Sequence, residues 1–351
     1  MGRGAAWGDG HWAWPALGLA LALGVVALWA MGTGTARIPL AEVARILVEP
    51  LAASRPDDPA GSLGDSREAL IVWSVRLPRV LAAVIAGAAL AVAGAIMQAA
   101  TQNPLAEPGL LGVNAGAAFA VVLTLTLADP AAGSGALVWV AFAGAALAAL
   151  AVYGLGGTGR EGPSPVRLVL AGVVVGTFLA VLTSTLLIFD DQTMDAVRIW
   201  TAGSLKGRGL DEVRAVLPHV GLALVAAMVL RDRFTALSLG AEVARGLGQD
   251  PVLWRGVSAV LVVMLAGGAV AVAGPVGFVG LVVPHMVRLT VGGDYRRLLP
   301  LALLGGALLT LLADTLPRAL WGNDVPVGIS LALVGAPFFI WLARSRLQVP
   351  A

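Results

Sequence analysis

Stretches without Asp, Glu, Lys or Arg alternate along this chain with shorter polar segments. A transmembrane helix needs about 20 mostly apolar residues, so stretches of this kind are candidate spans. The stretch 256–287 is too long for one untilted span, and Gly274 and Pro275 interrupt it, because proline cannot continue the helical hydrogen-bond ladder. The nine charge-free stretches are 10–36, 80–106, 108–128, 130–159, 168–189, 215–230, 256–287, 298–313 and 325–343.

This pattern predicts an all-α polytopic membrane protein with about ten transmembrane helices. The ninth helix is expected to continue beyond its short charge-free part as far as Arg318. The longest polar loop between the later spans is 231–255. The predicted spans are roughly 13–33, 80–102, 110–128, 136–156, 167–189, 213–230, 256–274, 276–291, 299–317 and 327–343.

The first apolar stretch has two interpretations. The sequence "ALWAMGTGTA" resembles a small-residue cleavage site and would suit a signal peptide. Its apolar core from Trp12 to Met31 is longer than the usual signal-peptide core of about 7–15 residues. Trp12, Trp14 and Trp29 would suit the two interfacial belts of a true span.

Two octapeptides far apart in the chain are alike. "GAALAVAG" at 87–94 and "GGAVAVAG" at 267–274 match at six of eight positions. In a chain rich in Ala, Gly and Val, chance similarity is the alternative. With ten spans the two copies would run in opposite directions, which is the pattern of an inverted repeat with a transport pathway between its halves.

Composition supports a membrane protein and excludes several functions. Hydrophobic residues make up 58% of the chain and charged residues 13%, whereas soluble globular proteins have about 25% charged residues. The net charge of +2 is too small to indicate nucleic-acid binding. Lys and Arg are distributed almost evenly between the two predicted sides, so their distribution favours cytoplasmic termini only slightly.

The residues that hold metals in proteins are scarce. The chain has no Cys, and its three His (His11, His219 and His285) share no short ligand spacing. A site for a bare transition metal is therefore not expected. His285 could be a metal ligand or a structural histidine, and no second ligand lies near it in sequence.

The chain lacks the features of a self-driven transporter. Its only lysine, Lys206, lies in "GSLKGRG", and no P-loop motif is present. Proton-driven carriers usually hold several acids in mid-span. Asp314 is the best candidate here, but it lies four residues before Arg318 on the same helical face, where pairing is the alternative to proton relay. An autonomous carrier and a membrane-embedded enzyme are therefore disfavoured, and the energy source is expected on a partner.

One polar stretch could meet such a partner. "LSLGAEVARGLGQDP" at 237–251 lies between the sixth and seventh predicted spans. Its central part, between Gly240 and Gly248, predicts a short helix. A solvated loop is the alternative.

Four blocks resemble the FecCD-type permeases, which are the membrane subunits of ABC importers for iron–siderophores, haem and cobalamin. They are "RLPRVLAAVIAGAALAVAGAIMQAATQNPLAEPGLLGVNAGA" (76–117), "LGAEVARGLG" (239–248), "GPVGFVGLVVPHMVRLTVGGDYRRLLP" (274–300), and a last block that includes "GALLTLLADTLPRAL" (306–320) and ends in "GAPFFIWLARSR" (335–346). The first block is especially similar to cobalamin permeases. The resemblance implies a type II ABC importer permease that is not itself an enzyme.

The resemblance also implies partners and an orientation. Two permease subunits, as a homodimer or a heterodimer, would assemble with two cytoplasmic ATPases and an extracytoplasmic binding protein in the plasma (inner) membrane of a prokaryote. ATP would bind the ATPase, and this chain would hold no cofactor. Both termini and the 231–255 loop would be cytoplasmic. The expected cargo is an iron–siderophore, with cobalamin or haem as alternatives.

Three arginines match those that in the family receive acidic residues of the binding protein. They are expected at the outer ends of the second and ninth spans: Arg76, Arg79 and Arg318. Burial of such charges is costly, so they should face water or carboxylates. Interfacial snorkelling is the alternative role.

The 239–248 segment resembles the coupling helices that dock on the ATPase. Family members often have an acid at the position of Ala241, whereas here the acid is Glu242. The residues expected to take part in coupling are Gly240, Glu242, Ala244, Arg245, Gly246, Leu247 and Gly248.

The resemblance also indicates a cytoplasmic gate. Asn103, Pro104 and Leu105 end the second span and would narrow the exit, although Asn103 could simply cap a turn. The family also uses the start of the fifth span, where Ser164 lies in "SPVR". Gln98 and Asn114 could line the pathway or form hydrogen bonds across helices.

Overall fold

The computed structural model is helical, and it describes residues 12–34, 36–52, 66–127, 134–157, 165–188 and 200–346; no strand occurs among them. A π-helical turn at Val72–Arg76 lies inside α3, and a 3₁₀ turn at Pro108–Leu111 precedes α4. In chain order the helices are α1 (Ala13–Gly32), α2 (Leu40–Ala52), α3 (Arg67–Thr101), α4 (Val113–Leu127), α5 (Ser134–Gly156), α6 (Pro165–Ile188), α7 (Leu210–Val229), α8 (Arg231–Ser238), α9 (Ala241–Gly246), α10 (Pro251–Ala273), α11 (Val279–Val291), α12 (Tyr295–Trp321) and α13 (Val327–Arg346).

Ten of the described helices are apolar. Seven of them, α1, α3, α5, α6, α7, α10 and α12, are long and apolar enough to cross a membrane. The helices α4 and α11 and the Val327–Ile340 part of α13 are shorter apolar helices. The predicted all-α polytopic fold is confirmed. The ends of the individual membrane spans remain predictions.

The start of helix α3 differs most from the start that the charge pattern predicts. The helix begins at Arg67 rather than at position 80, where the charge-free stretch starts. Ser66 caps it, since its hydroxyl accepts a hydrogen bond from the amide of Ala69 at 3.2 Å. Arg76 and Arg79 therefore lie inside a longer helix than the charge pattern predicts, and their place at the outer end of a span stays a prediction.

The helix boundaries at glycine and proline follow the sequence more closely. Gly274, with φ +73°, ends α10 immediately before Pro275, which confirms the predicted break. Asp294 caps α12, accepting from the amide of Arg296 at 2.9 Å. This helix continues through Arg318 to Trp321, as expected.

The core is organised around α3, which contacts α7, α10, α11 and α12. Two glycine pairs allow close approaches of α3 to α11 and α12. A Cβ at Gly87 would lie 2.2 Å from the carbonyl oxygen of Gly306, and one at Gly94 would lie 2.0 Å from that of Gly280. Small residues in the first octapeptide therefore let backbones touch, as is common between membrane helices.

The two octapeptides lie on antiparallel helices. The 97–101 end of α3 lies beside the 255–262 part of α10, near the start of that helix. This packing is the arrangement that an inverted repeat predicts. It also defines two sides of the molecule: we call the end that holds Arg79 and Arg318 the arginine side, and the end that holds residues 231–250 the short-helix side.

Candidate functional site

A buried ion-pair network lies on the arginine side. The guanidinium of Arg79 donates to both carboxylate oxygens of Asp314 at 2.9–3.1 Å and to Asp324 at 2.8 Å. Arg318 donates to Asp314 at 2.8 Å from the opposite side. Asp314 is only 1% exposed, and two arginines share its charge. The predicted pairing of Asp314 with Arg318 is confirmed, and a second arginine joins it.

Arg76 belongs to the same region but binds backbone rather than carboxylates. Its guanidinium donates to the carbonyl oxygens of Met31, in the last turn of α1, and of Ala36, in the connection that follows α1. The side chain is buried, with 4% exposure. Arg76 therefore holds the α1–α2 connection against α3, and the side chains of Arg76 and Arg79 are both buried within the protein.

Positive charge exceeds negative charge in this cluster. Lys206 reaches Asp324 at 3.5 Å, so three cations (Arg79, Lys206 and Arg318) pair with two carboxylates, and Arg76 adds a fourth positive charge to the same region. A cavity of about 250 Å³ is lined by Arg76, Arg79, Arg318 and Asp324. The surplus positive charge around an open cavity suits an incoming acidic group.

Asp324 and Lys206 complete the cluster, and the sequence interpretation had assigned no docking role to either. Burial by itself would raise the pKa of Asp324, but the charge of Arg79, with smaller contributions from Lys206 and Arg318, holds that pKa below its ordinary value. Asp324 lies within the fourth family block, which was the available signal. Asp324 and Arg79 are 245 residues apart, so the sequence alone did not indicate that they pair.

The short-helix side presents α9 as an exposed element. Gly240 (φ +112°) and Gly248 (φ +74°) flank it in conformations that favour glycine. Leu239, Val243 and Leu247 are 61%, 46% and 62% exposed. The four-residue spacing of Val243 and Leu247 places these two on one face of α9, and Leu239 lies immediately before Gly240. The predicted short helix between the two glycines is confirmed.

The remaining residues of the predicted coupling set divide by burial. Ala244 is fully buried, whereas the side chains of Glu242 and Arg245 are exposed, as are Gly246 and Gly248. Ala244 thus fixes α9 to the protein, and its neighbours face outward.

The preceding helix α8 anchors this segment to α12. Asp232 pairs with Arg296 at 2.6 Å, and the hydroxyl of Thr235 accepts from the amide of Tyr295 at 3.1 Å. Phe234 is buried against the ring of Tyr295, with centroids 6.4 Å apart. The exposed α9 is therefore attached to a rigid part of the molecule.

Residues 102–108, which we call the re-entrant turn, fold back from the end of α3 toward its middle. Gln102 adopts a left-handed conformation with φ +52° and reverses the chain. The Asn103 side chain accepts from the amide of Leu105 at 3.0 Å, so Asn103 caps the turn. Pro108 reaches Gly280, the residue that packs against Gly94 in the middle of α3.

Glu107 fixes the far end of the re-entrant turn. Its carboxylate accepts from the amide of Phe278 at 3.2 Å, at the N-terminus of α11. Phe278 has φ +70°, a conformation uncommon for a bulky residue. Glu107 and α11 thus contact this irregular backbone.

The other predicted pathway residues are dispersed. Gln98 is buried and forms hydrogen bonds across helices, to α11 and to the re-entrant turn. Asn114 is half-buried at the start of α4, and its side-chain nitrogen approaches Gly109. Ser164 lies outside the described residues. Whether any of them lines a pathway stays a prediction.

His285 is buried and meets Phe338 edge-on, with ring centroids 5.9 Å apart. Within the described ranges, no group of three or more His, Cys, Asp or Glu side chains could hold a metal ion. His285 therefore has an aromatic packing partner and no set of metal ligands around it in this part of the chain.

Known proteins resemble this chain over most of its length. A siderophore transport system permease protein of Bacillus subtilis is 44% identical over 287 residues, which is 81% of this chain and 85% of the relative. The ferric enterobactin transport system permease protein of Escherichia coli is 42% identical over 281 residues, covering 80% and 84%. A cobalamin import system permease protein of Halobacterium salinarum is a further relative.

A solved structure agrees with the fold. It is described as an inward-facing conformation of a metal-chelate type ABC transporter, and it matches with a TM-score of 0.77 and 26% identity. The match covers 95% of this chain and 99% of the other. The model of the FecCD transport family matches residues 21–345. This chain therefore belongs to the FecCD transport family, and its fold is that of a type II ABC importer permease.

Proposed function

We propose that this chain is the membrane-spanning permease subunit of an importer for a metal chelate, most consistent with an iron–siderophore. The observation that supports this best is that a chain of this family has two different ends. A cationic cavity lies on the arginine side, and an exposed short helix lies on the short-helix side. A substrate-binding protein fits the first end, and an ATPase fits the second.

On the arginine side, the proposed partner is an acidic surface of an extracytoplasmic binding protein. Arg76, Arg79 and Arg318 keep the cluster positive, although each already binds groups within the chain. The exposed cation of the cluster is Lys206. The arginines therefore act mainly through the electrostatic field of the cavity, which steers an acidic partner toward it.

On the short-helix side, the proposed partner is a cytoplasmic ABC ATPase that binds ATP. Val243 and Leu247 offer an apolar stripe on α9, with the exposed Leu239 just before the helix and Glu242 and Arg245 beside the stripe. Such a helix suits a groove that accepts an amphipathic face. The re-entrant turn with Asn103, Pro104 and Leu105 would then narrow the cytoplasmic exit.

This function assigns an orientation and an assembly. Both termini and the 231–250 region would be cytoplasmic in the inner membrane of a prokaryote. Two permease chains and two ATPases would form the importer, with each chain surrounded by lipid on its outer face. The chain itself would catalyse no reaction and hold no cofactor.

The test is transport by the assembled complex. The chain is co-expressed with candidate ATPase and binding-protein subunits, purified and placed in proteoliposomes. We expect no ATP hydrolysis by the chain alone, and ATP-dependent uptake of ⁵⁵Fe complexed by a siderophore with all subunits present. Cobalamin and haem are the alternative cargoes and are measured in parallel.

Two results would contradict the proposal. ATP hydrolysis by the chain alone, after exclusion of contaminants, would assign the energy source to this chain. Uptake driven by a proton gradient without any ATPase would instead support an autonomous carrier. Uptake of cobalamin or haem in place of the siderophore complex would keep the importer and replace its cargo.

A further inference from the structure

The buried amide of Gln98 joins three parts of the protein. Its oxygen accepts from the guanidinium of Arg288 at 3.0 Å. Its nitrogen donates to the carbonyl oxygens of Gly280 at 3.1 Å and Ala106 at 3.4 Å. Gln98 therefore ties α3 to both ends of α11 and to the re-entrant turn. Loss of this amide would leave buried polar groups without partners, which is costly.

Arg288 continues this connection toward the short-helix side. Its second nitrogen lies 3.4 Å from the hydroxyl of Tyr295, which donates to the carbonyl oxygen of Ala95 at 3.0 Å. Tyr295 is 1% exposed and packs against Phe234 of α8. A continuous set of contacts thus leads from α8 through Tyr295, Arg288 and Gln98 to the re-entrant turn.

A second contact between the same regions is direct. The side-chain nitrogen of Gln102, the first residue of the re-entrant turn, lies 3.1 Å from the position that a Cβ would occupy on Gly240. Gly240 immediately precedes α9. The segment that bears the exposed short helix therefore touches one end of the turn and reaches the middle of the turn through Gln98.

We propose that Gln98 and Arg288 are positioning residues that transmit movement of the α8–α9 segment to the re-entrant turn. The inference rests on the proposed function, since it assumes that an ATPase moves α9 and that the turn narrows the exit. Its specific content is the route. Without the amide of Gln98, α9 can still bind the ATPase, follow it and contact Gln102, but the part of the turn around Leu105 and Ala106 no longer follows α9.

The absence of cysteine from the chain makes a direct measurement possible. Leu105→Cys places one thiol in the re-entrant turn. In the complex with its ATPase, the rate of reaction with a membrane-impermeant maleimide is compared without nucleotide and with ATP plus vanadate. We expect nucleotide to change this rate by at least about fivefold, the lower range of coupling between distant sites. This readout does not require the cargo to be known.

A set of variants distinguishes loss of the Gln98–Arg288 contact from general damage to the protein. Gln98→Leu removes the amide at similar volume and should abolish most of the nucleotide response while ATP hydrolysis continues. Thr101→Val is the matched control, because Thr101 is buried on the same helix and its hydroxyl bonds only Met97 within α3 at 2.7 Å. Arg288→Met should resemble Gln98→Leu, and Arg288→Lys should restore much of the response.

The outcomes distinguish this inference from the proposed function. A full response in Gln98→Leu and Arg288→Met would overturn the inference, as would an equal loss in Thr101→Val. A Leu105→Cys complex that imports cargo but shows no nucleotide response would also overturn it. Failure of every ATPase to bind the unaltered chain would instead reject the proposed function. If Gln98→Leu does not assemble, the Arg288→Met and Arg288→Lys pair decides.

Discussion

The two ends of this molecule differ in whether their charged and apolar side chains are buried or exposed. On the arginine side, Arg79 and Asp314 are buried and bind each other. On the short-helix side, Glu242 and Arg245 are exposed beside an exposed apolar stripe. Both ends were assigned to partners from the sequence. The arginines assigned to docking are buried and bind groups within the chain, whereas Glu242 and Arg245, assigned to coupling, are exposed.

This difference shows that motif residues assigned to partner docking can also be needed for folding. A buried ion pair contributes little net stability, yet removal of one partner costs much because it leaves an uncompensated charge. Substitutions in the arginine network should therefore affect folding first. Substitutions on α9 should affect partner binding and leave folding unchanged.

The largest effect is expected for Arg79→Glu. The new carboxylate would face Asp314 and Asp324, and breaking a buried pair costs about 3–5 kcal/mol even without charge reversal. Since whole domains are stable by only about 5–15 kcal/mol, the amount of folded chain in the membrane should fall severely. The measurement is the yield of monodisperse protein in mild detergent.

Arg245→Glu is the matched control, because it makes the same charge change at an exposed position of α9. Its yield should equal that of the unaltered chain. Equal yields for both variants would remove the contrast between the two ends. Arg79 would then be available for docking without a role in folding.

The particular residues show which parts of this contrast were readable from sequence. Charge-free stretches predicted the apolar helices, and the glycines around α9 predicted its limits, because both signals are local. The start of α3 at Arg67 was missed because Arg76 and Arg79 interrupt the charge-free residues without ending the helix.

The contacts that define the sites were less accessible to sequence reasoning. Asp324 and Arg79 are far apart in the chain, so only the fold could pair them. The Gln98 amide was predicted either to line a pathway or to bond across helices, and no spacing rule chooses between the two. Its partners on α11 depend on how α11 packs against α3.

An intermediate effect is expected for Val243→Asp combined with Leu247→Asp. Both side chains are exposed, so the yield of folded chain should not change. The apolar stripe would be lost, and central contacts of an interface often contribute about 2 kcal/mol or more each. Binding of the ATPase should therefore weaken by at least about tenfold in a detergent pull-down titration.

Ala41→Asp is the control for this pair, since it adds a carboxylate at an exposed position of α2, next to the arginine side. It should leave ATPase binding unchanged. If the α9 variant also binds normally, α9 is only a solvated loop segment, and the contrast between the two ends loses its functional meaning.

The smallest effect concerns the pH dependence of Asp324, the partly exposed member of the network. Its pKa is lowered in the folded protein: burial acts to raise it, and Arg79, Lys206 and Arg318 outweigh burial. A carboxyl group with a lowered folded pKa contributes stability above its unfolded pKa of about 3.9 and loses that contribution as pH falls through the folded value.

We therefore expect Asp324→Asn to lower the thermal unfolding temperature of the detergent-solubilised chain modestly at pH 7 and pH 5. The difference from the unaltered chain should shrink as pH falls below about 4, because protonation then removes from the unaltered chain the charge that the variant lacks at every pH. Asp211→Asn is the control: Asp211 is exposed and lies 3.8 Å from Arg214, so its replacement should have almost no effect.

A difference that stays constant across the whole pH range would show that Asp324 acts through the shape of its side chain. The stabilising charge of the arginine side would then reside in the buried Arg79–Asp314–Arg318 group alone, and the cavity beside it would depend on the cations without a carboxylate to balance them at its rim.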